Sequence, residues 1–404
     1  MSPRRASRAL RSAPRKVARN RGVRKAGVVT GVVAGSAAVG ATSAWVGLAT
    51  YVARRVLTPD RRRPDDTAIR AIHTDSITLE VGPDTFVPGR YGLWFDGRKG
   101  HLRFGEVLEV NRRAGTVRRR LLGVDFGVLQ PGPARFDSYF HAAPPERALG
   151  LPTEDVTVPA ALGPMPAWIV PAEEPTTRWA VLVHGRGATR EETLRAVPAL
   201  HAEGLTCLVP SYRNDGDAPS GPDGRYNLGL SEWHDIEDAV RLALARGATE
   251  IVLVGWSMGG AIVLQFLDQS ELADKVSRVV LDGPVVDWGD VLEHHARLHR
   301  VPDRMGRFSR QLMGRNWSKR LVGVHDPVDV ARTNWVARAE ELHHPILLIH
   351  SRDDEFVPVG QSEALADARP DLIRFEPWSL ARHCKEWNVD PARWERVVRE
   401  FVRD

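Results

Sequence analysis

Residues 151–404 predict an α/β fold in which a mostly parallel sheet is covered by helices on both faces. Three observations carry this prediction. Fully apolar runs recur at 179–183, 251–255, 279–281 and 346–349, and a strand apolar on both faces belongs inside a parallel sheet. Stretches of helical period separate them. Glycine and proline punctuate the joints.

Taken in order, VTVPA and AWIVPA read as opening strands, and WAVLVHG (179–185) as the first buried strand. A helix is expected over 191–203, then the strand LTCLVPSY and a long polar loop. Helix 231–246, strand 250–255, helix 259–269 and the strand SRVVLDGP follow. A helix-prone insertion fills about 285–340. Strand PILLIH, helix 361–368, strand LIRFEPW and a terminal helix from Pro391 complete the chain.

The part before residue 151 has a different texture. Residues 69–150 hold short alternating runs (SITLEV, RYGLWF, HLRFGEVLEV, GTVRRRLLGV) broken by glycine, which predict a small, mostly β region. A charged, proline-bearing linker, 54–68, precedes it. The first 63 residues carry fifteen Lys/Arg against one Asp, a net +14, whereas the remainder carries −9. An acidic body with a basic head argues against nucleic acid as the partner of the whole chain. Within the head, residues 1–25 are a basic segment and residues 26–53 hold no charge at all. A 28-residue helix is long enough for a bilayer of about 30 Å, so 26–53 is expected to be a transmembrane anchor contacting membrane lipid. Ten basic residues before it and five after favour a single-pass membrane protein with its catalytic body outside the cytoplasm. A cleaved signal peptide and a soluble basic arm are the competing readings. Cys207 and Cys384 alone exclude a disulfide framework and a four-cysteine zinc site.

Chemistry enters at Gly255-Trp256-Ser257-Met258-Gly259, a G-x-S-x-G sequence set between the strand EIVLV and the apolar helix GAIVLQFL. The strand-to-helix turn there is too sharp for relaxed backbone and lifts the serine to the top of the sheet. On these residues the stretch 150–404 resembles the α/β-hydrolase family, in particular the bacterial serine hydrolases grouped with esterases, lipases and S9/S33-type serine peptidases. The resemblance implies Ser257 as nucleophile. It also implies an oxyanion hole from the backbone N–H groups of Arg186, in His184-Gly185-Arg186-Gly187, and of Met258. The family order of serine, acid, histidine implies an acid after a late strand. His350-Ser351-Arg352-Asp353-Asp354 resembles the family's acid stretch, with Ser351 in place of glycine, and points to Asp354. Asp353 and Asp282 are the alternatives. His383, between the last strand and the last helix, is the implied base, and the insertion 285–340 falls where the family carries a lid.

No cofactor is implied. Glu293-His294-His295 with His299 lacks the H-E-x-x-H spacing and reads as a solvated helix face rather than a metal site. Cys384 adjoins the base. The loop Ser211–Asp215 is expected to shape the pocket, and Trp288, Leu292, Leu298, Met305, Phe308 and Trp317 of the insertion are expected to pack the lid or line the site. Ester hydrolysis through an acyl-enzyme is the favoured reaction on a small-molecule ester. The alternatives are a serine peptidase acting on a peptide, a surface acyltransferase, and a scaffold that has lost activity. No candidate site residue precedes Arg186, so residues 1–63 are expected to be dispensable for activity.

Overall fold

The computed structural model describes residues 43–59 and 63–403. The basic segment 1–25 and most of the uncharged run 26–53 therefore lie outside the described residues. No helix among the described residues is long and apolar enough to cross a membrane. The chain divides into two units between residues 49 and 50. Of the first, residues 43–49 are described and are helical. Everything that follows concerns the second.

The alternating runs before residue 151 form six antiparallel strands: β1 (Thr67–Ile72), β2 (Ser76–Glu80), β3 (Tyr91–Phe95), β4 (Gly100–Asn111), β5 (Thr116–Phe126) and β6 (Gly132–Asp137). They close into a barrel in the order β1-β2-β5-β4-β3-β6. The alternation turns Ile69, Ile77, Leu79, Leu93, Leu102 and Phe104 inward to a core of the barrel's own. Closure removes the exposed edges that an open six-stranded sheet would present. One charge is sealed in. Arg119 is fully buried, and its guanidinium donates to the carbonyls of Gly105 (2.7 Å), Thr85 (2.8 Å), Val87 (2.9 Å) and Gly89 (2.9 Å). Burial lowers its pKa to about 10. Three of those four carbonyls belong to the loop between β2 and β3, so this side chain pins loop 82–90 onto the barrel.

The second half forms an eight-stranded sheet from β7 (Glu154–Ala160), β8 (Gly163–Val170), β9 (Arg178–Val183), β10 (Thr206–Pro210), β11 (Glu250–Trp256), β12 (Val276–Asp282), β13 (Ile346–Ser351) and β14 (Ile373–Trp378). Its order is β14-β13-β12-β11-β9-β10-β8-β7. Strands β9 to β14 run parallel; β7 and β8 are antiparallel additions at one edge. The chain goes one way from β9 to β10 and returns past β9 to reach β11. The loops after β9 and β11 therefore meet at the switch point, where open α/β sheets place their ligand crevice.

The expected helices are present at Trp233–Ala245, Met258–Gln269, Gly360–Ala368 and Pro391–Arg403. The single helix expected over 191–203 is instead a 3₁₀ segment, Arg190–Arg195, followed by a short α-helix, Val197–Ala202. Pro198 accounts for the break: it has no N–H to give and clashes with an upstream turn, but it suits the start of a new helix. The insertion is helical at Trp288–Leu298, Asp303–Met313 and Lys319–Val322.

The barrel is bound to the sheet domain at a specific place. Arg90 N–H donates to Asn388 O (2.9 Å), and the Asn388 amide donates to Arg90 O (2.7 Å) and Ser138 O (2.9 Å). Asp84 accepts from Arg382 (2.7 Å) and Lys385 (2.9 Å). The loop that Arg119 secures thus grips residues 382–388.

Replacing Arg119 by alanine strands four carbonyls at a desolvated site, at a cost of about 1–3 kcal/mol for each one left without a donor. Arg119→Ala is expected to lower the free energy of unfolding by at least about 3 kcal/mol. Urea denaturation checks this, and a shift indistinguishable from that of an exposed arginine would refute it.

Candidate active site

Strand register assembles the site before any side chain is considered. Gly255 pairs with Val183 and Trp256 with Asp282. The residue after β11, Ser257, therefore emerges between the turn that follows β9 and the end of β12. Its backbone is left-handed, φ 51° and ψ −117°, a conformation that costs a non-glycine residue energy. It is held there by its neighbours. Ser257 N–H donates to Asp282 O (3.1 Å), and Ser257 O accepts from Gly260 N–H (3.0 Å) and Val285 N–H (3.1 Å). The flanking glycines are demanded by space. A Cβ on Gly259 would lie 2.1 Å from Val183 O, and one on Gly255 would lie 2.7 Å from Gly259 O.

The turn after β9 is packed against the serine, since a Cβ at Gly185 would approach Ser257 Cβ to 3.1 Å. Arg186 follows directly, and Met258 opens the helix Met258–Gln269. The two expected oxyanion-hole residues thus flank Ser257. Side chains hold the turn: Glu192 accepts from Gly185 N–H (2.7 Å), Tyr226 Oη from Gly187 N–H (3.0 Å), and Tyr212 Oη donates to Gly185 O (3.1 Å). His184 stacks on Tyr212 and is fully buried, with Nε2 2.8 Å from Asp215 Oδ2 and Nδ1 3.0 Å from Gly185 O. Burial opposes its charge, but the Asp215 carboxylate prevails and leaves its pKa above the ordinary histidine value. The loop Ser211–Asp215 therefore supports the turn.

His383 lies on the loop between β14 and the final helices, with Nε2 2.9 Å from Ser257 Oγ and Nδ1 2.7 Å from Asp354 Oδ2. A carboxylate at Nδ1 requires the N–H there, which leaves Nε2 to accept from the serine hydroxyl. Asp354 is fully engaged. Its Oδ2 also faces His350 Nε2 (3.1 Å), while Oδ1 accepts the backbone N–H groups of Phe356 (2.8 Å) and Val357 (2.9 Å). Burial would raise its pKa, but His383 and His350 hold the carboxyl well below the ordinary value. For His383, burial works against the charge, and Asp354 outweighs it, so the imidazole's pKa stands above 6.5. His350 served in the sequence only to set the register of the acid stretch. Here it is an orienting partner, held at Nδ1 by Ser362 Oγ (2.7 Å).

Neither alternative acid reaches the histidine. Asp353 accepts from Leu380 N–H (2.7 Å), and the fully buried Asp282 accepts from Trp394 Nε1 (2.7 Å). Asp282 instead meets Glu386, whose pKa is pushed well above the carboxylate range by burial and by the Asp282 charge. Asp282 Oδ1 and Glu386 Oε2 have no other partner among the described residues, and the raised pKa favours the protonated, donating form of Glu386.

Cys384 packs behind the base, its Sγ 3.6 Å from His383 Nε2, and burial pushes its thiol far above the ordinary range, away from the reactive thiolate. His294 and His295 pair with the carbonyls of Glu355 (3.1 Å) and Phe356 (2.9 Å), tying the insertion to the acid loop. No group of three metal-ligating side chains occurs among the described residues. Of the insertion's large apolar residues, Trp288 and Met305 are buried, Leu292 is half-buried, and Leu298 and Trp317 are exposed.

A parallel sheet with a strained serine at its switch point, and acid and histidine on later loops, is the architecture of the α/β hydrolases. This chain belongs to that family, whose model matches residues 180–400, and it is an enzyme of the hydrolase class. Residues 68–137, nearly the span of the barrel, match a model described as a domain of unknown function. The chain is similar to the 2-hydroxymuconate semialdehyde hydrolase of Pseudomonas sp. strain CF600, at 26% identity over 258 residues, covering 55% of this chain and 86% of that protein. Similar solved structures include an esterase of Pyrococcus furiosus (19% identity, TM-score 0.49, covering 65% of this chain and 93% of that one). Another is the meta-cleavage product hydrolase of Pseudomonas fluorescens IP01 (18% identity, TM-score 0.43, covering 61% and 97%).

The raised pKa of Glu386 has a measurable sign. A carboxyl whose folded pKa exceeds its unfolded value of 4.5 stabilises the fold below that pH and loses the contribution as pH rises toward the folded pKa. Glu386→Gln supplies an N–H permanently. The variant's stability relative to the wild type is expected to climb by about 1.4 kcal/mol per pH unit above that point, as read from denaturation at several pH values. A pH-independent difference would refute the raised pKa.

Proposed function

We propose that this protein is a serine hydrolase that cleaves a carboxylic ester through an acyl-enzyme. The observation carrying the reading is the continuous relay from Ser257 Oγ to His383 (2.9 Å) and from His383 to Asp354 (2.7 Å). Ser257 Oγ attacks the ester carbonyl while Nε2 of His383 takes the hydroxyl proton. The tetrahedral oxyanion is stabilised by the N–H groups of Arg186 and Met258, each worth about 3 kcal/mol. Collapse breaks the bond to the leaving alcohol, which departs with the proton from His383. Water then repeats the sequence and releases the acid. Asp354 holds the tautomer and stabilises the imidazolium. An ester is favoured over a peptide because an alkoxide leaves more readily than an amide anion.

Ser257→Ala is expected to abolish labelling by a fluorophosphonate, in which the serine oxygen displaces fluoride from phosphorus. It should also reduce ester turnover to a residue on the order of 10³–10⁴ over water. Retained labelling would locate the nucleophile elsewhere. A graded panel of esters and aminoacyl amides separates esterase from peptidase, and acceptor competition separates hydrolysis from acyl transfer.

The pH profile follows from the charge on His383. Because its pKa is raised, the imidazole stays protonated above pH 6.5, and activity should rise as that proton leaves, on the alkaline side of the ordinary histidine value. Asp354→Asn is expected to cost about 10⁴ in kcat and to move this limb to lower pH. Asp282→Asn should leave the limb in place; the opposite pattern would assign the acid to Asp282.

A further inference from the structure

We infer that residues 50–57 of the amino-terminal helix form one wall of the substrate's acyl-chain pocket, making this segment a specificity determinant for esters with an extended apolar acyl group. The inference rests on the ester-hydrolase reading and adds to it a binding surface that the hydrolase segment 151–404 does not contain.

A cavity of about 530 Å³ lies between this segment and the insertion, within the range of about 300–1,000 Å³ typical of small-molecule sites. Val52, Ala53 and Val56 line it from one side, and Trp288, Val291 and Leu292 from the other. The spacing 52, 53, 56 puts the first three on one helical face. Three of the polar side chains that border the cavity are turned to protein partners. His295 Nε2 lies 2.9 Å from Phe356 O, Arg310 donates to Gly289 O (3.1 Å), and Ser309 Oγ to Met305 O (2.9 Å). Exposed Arg55 and His299 complete the border. The two facing walls are therefore apolar, which matches an apolar occupant between them.

Continuity with the site identifies that occupant. Phe356 and Arg186 both line the cavity. The Phe356 ring is 5.1 Å from that of His383, and Arg186 supplies a proposed oxyanion N–H. The cavity therefore adjoins the site through Phe356 and Arg186, and we place the acyl chain of a substrate at Ser257 in it.

The helix is fastened where a wall needs to be. Its terminal carbonyls are met by donors: Leu57 O by Tyr226 N–H (2.9 Å) and Thr58 O by Arg186 (2.9 Å). Arg225 donates to Thr58 Oγ1 (2.6 Å), and Arg54 to Val322 O (3.0 Å) and Leu321 O (2.8 Å) of the insertion. Two arginines at a helix carboxyl end also complement its dipole. Removal of residues 1–63, which the sequence reading takes to be dispensable, would take this border of the cavity away.

The test labels full-length protein with two fluorophosphonates, one bearing an ethyl chain and one a decyl chain, and compares the rates. Val52→Phe is expected to slow decyl labelling by about tenfold or more while ethyl labelling stays within about threefold. Val56→Ala, a truncation that threatens the fold least, should raise the decyl-to-ethyl ratio, and it decides the matter if Val52→Phe does not fold. Labelling of Ser257 with an unchanged ratio in both variants overturns the wall and leaves the hydrolase reading standing. Absence of any labelling in the wild type overturns the hydrolase reading and this inference with it.

Discussion

The left-handed backbone at Ser257 is the constraint on which the rest of the molecule depends. A φ of 51° is held only because neighbouring strands over-determine it: β12 accepts the serine N–H through Asp282 O, and two backbone donors converge on its carbonyl. The contacts around Gly255 and Gly259 leave no space for a side chain. The strain aims Oγ at the switch point. Every other participant must then be delivered to that one place, from loops that leave strands as distant as β9 and β14.

Delivery of the histidine is the hardest part, because residues 380–385 belong to no strand or helix. They are fixed from outside. Leu380 and Cys384 both adopt positive φ, Arg195 donates to Cys384 O (2.7 Å) and Asn388 Oδ1 (3.1 Å), and the barrel closes the arrangement through Asp84 and Arg90. The barrel's buried Arg119 fixes the loop that carries both. A continuous set of contacts thus runs from the interior of the barrel to the imidazole. This gives residues 69–150 a structural purpose that their sequence did not disclose.

What the sequence made legible was local. Strand, turn and helix around Ser257 are contiguous, so a five-residue motif between two apolar runs was sufficient. His383 followed from chain order. Asp354 was separable from Asp353 only by counting, because adjacent residues share every sequence property; geometry separates them, with one facing the histidine and the other capping Leu380. His350, Glu192 and Asp84 were illegible as participants, since each acts across loops whose approach depends on strand order. Closure of the barrel was hidden for the same reason: β1 pairs with β6 across some sixty residues, with no local signal. The 3₁₀ segment at Arg190–Arg195 was different. Pro198 announced the break, and helical periodicity masked it.

The clamp between Asp84 and Arg382 joins positions 298 residues apart. A ribosome emits the barrel before the histidine, and domains tend to fold in order of emergence. The barrel is therefore a finished surface waiting for residues 382–388. Until residues 382–388 leave the exit tunnel, His383 cannot stand beside Ser257. A chain interrupted before residue 383 therefore lacks the contact to Ser257 Oγ, however well its sheet has formed.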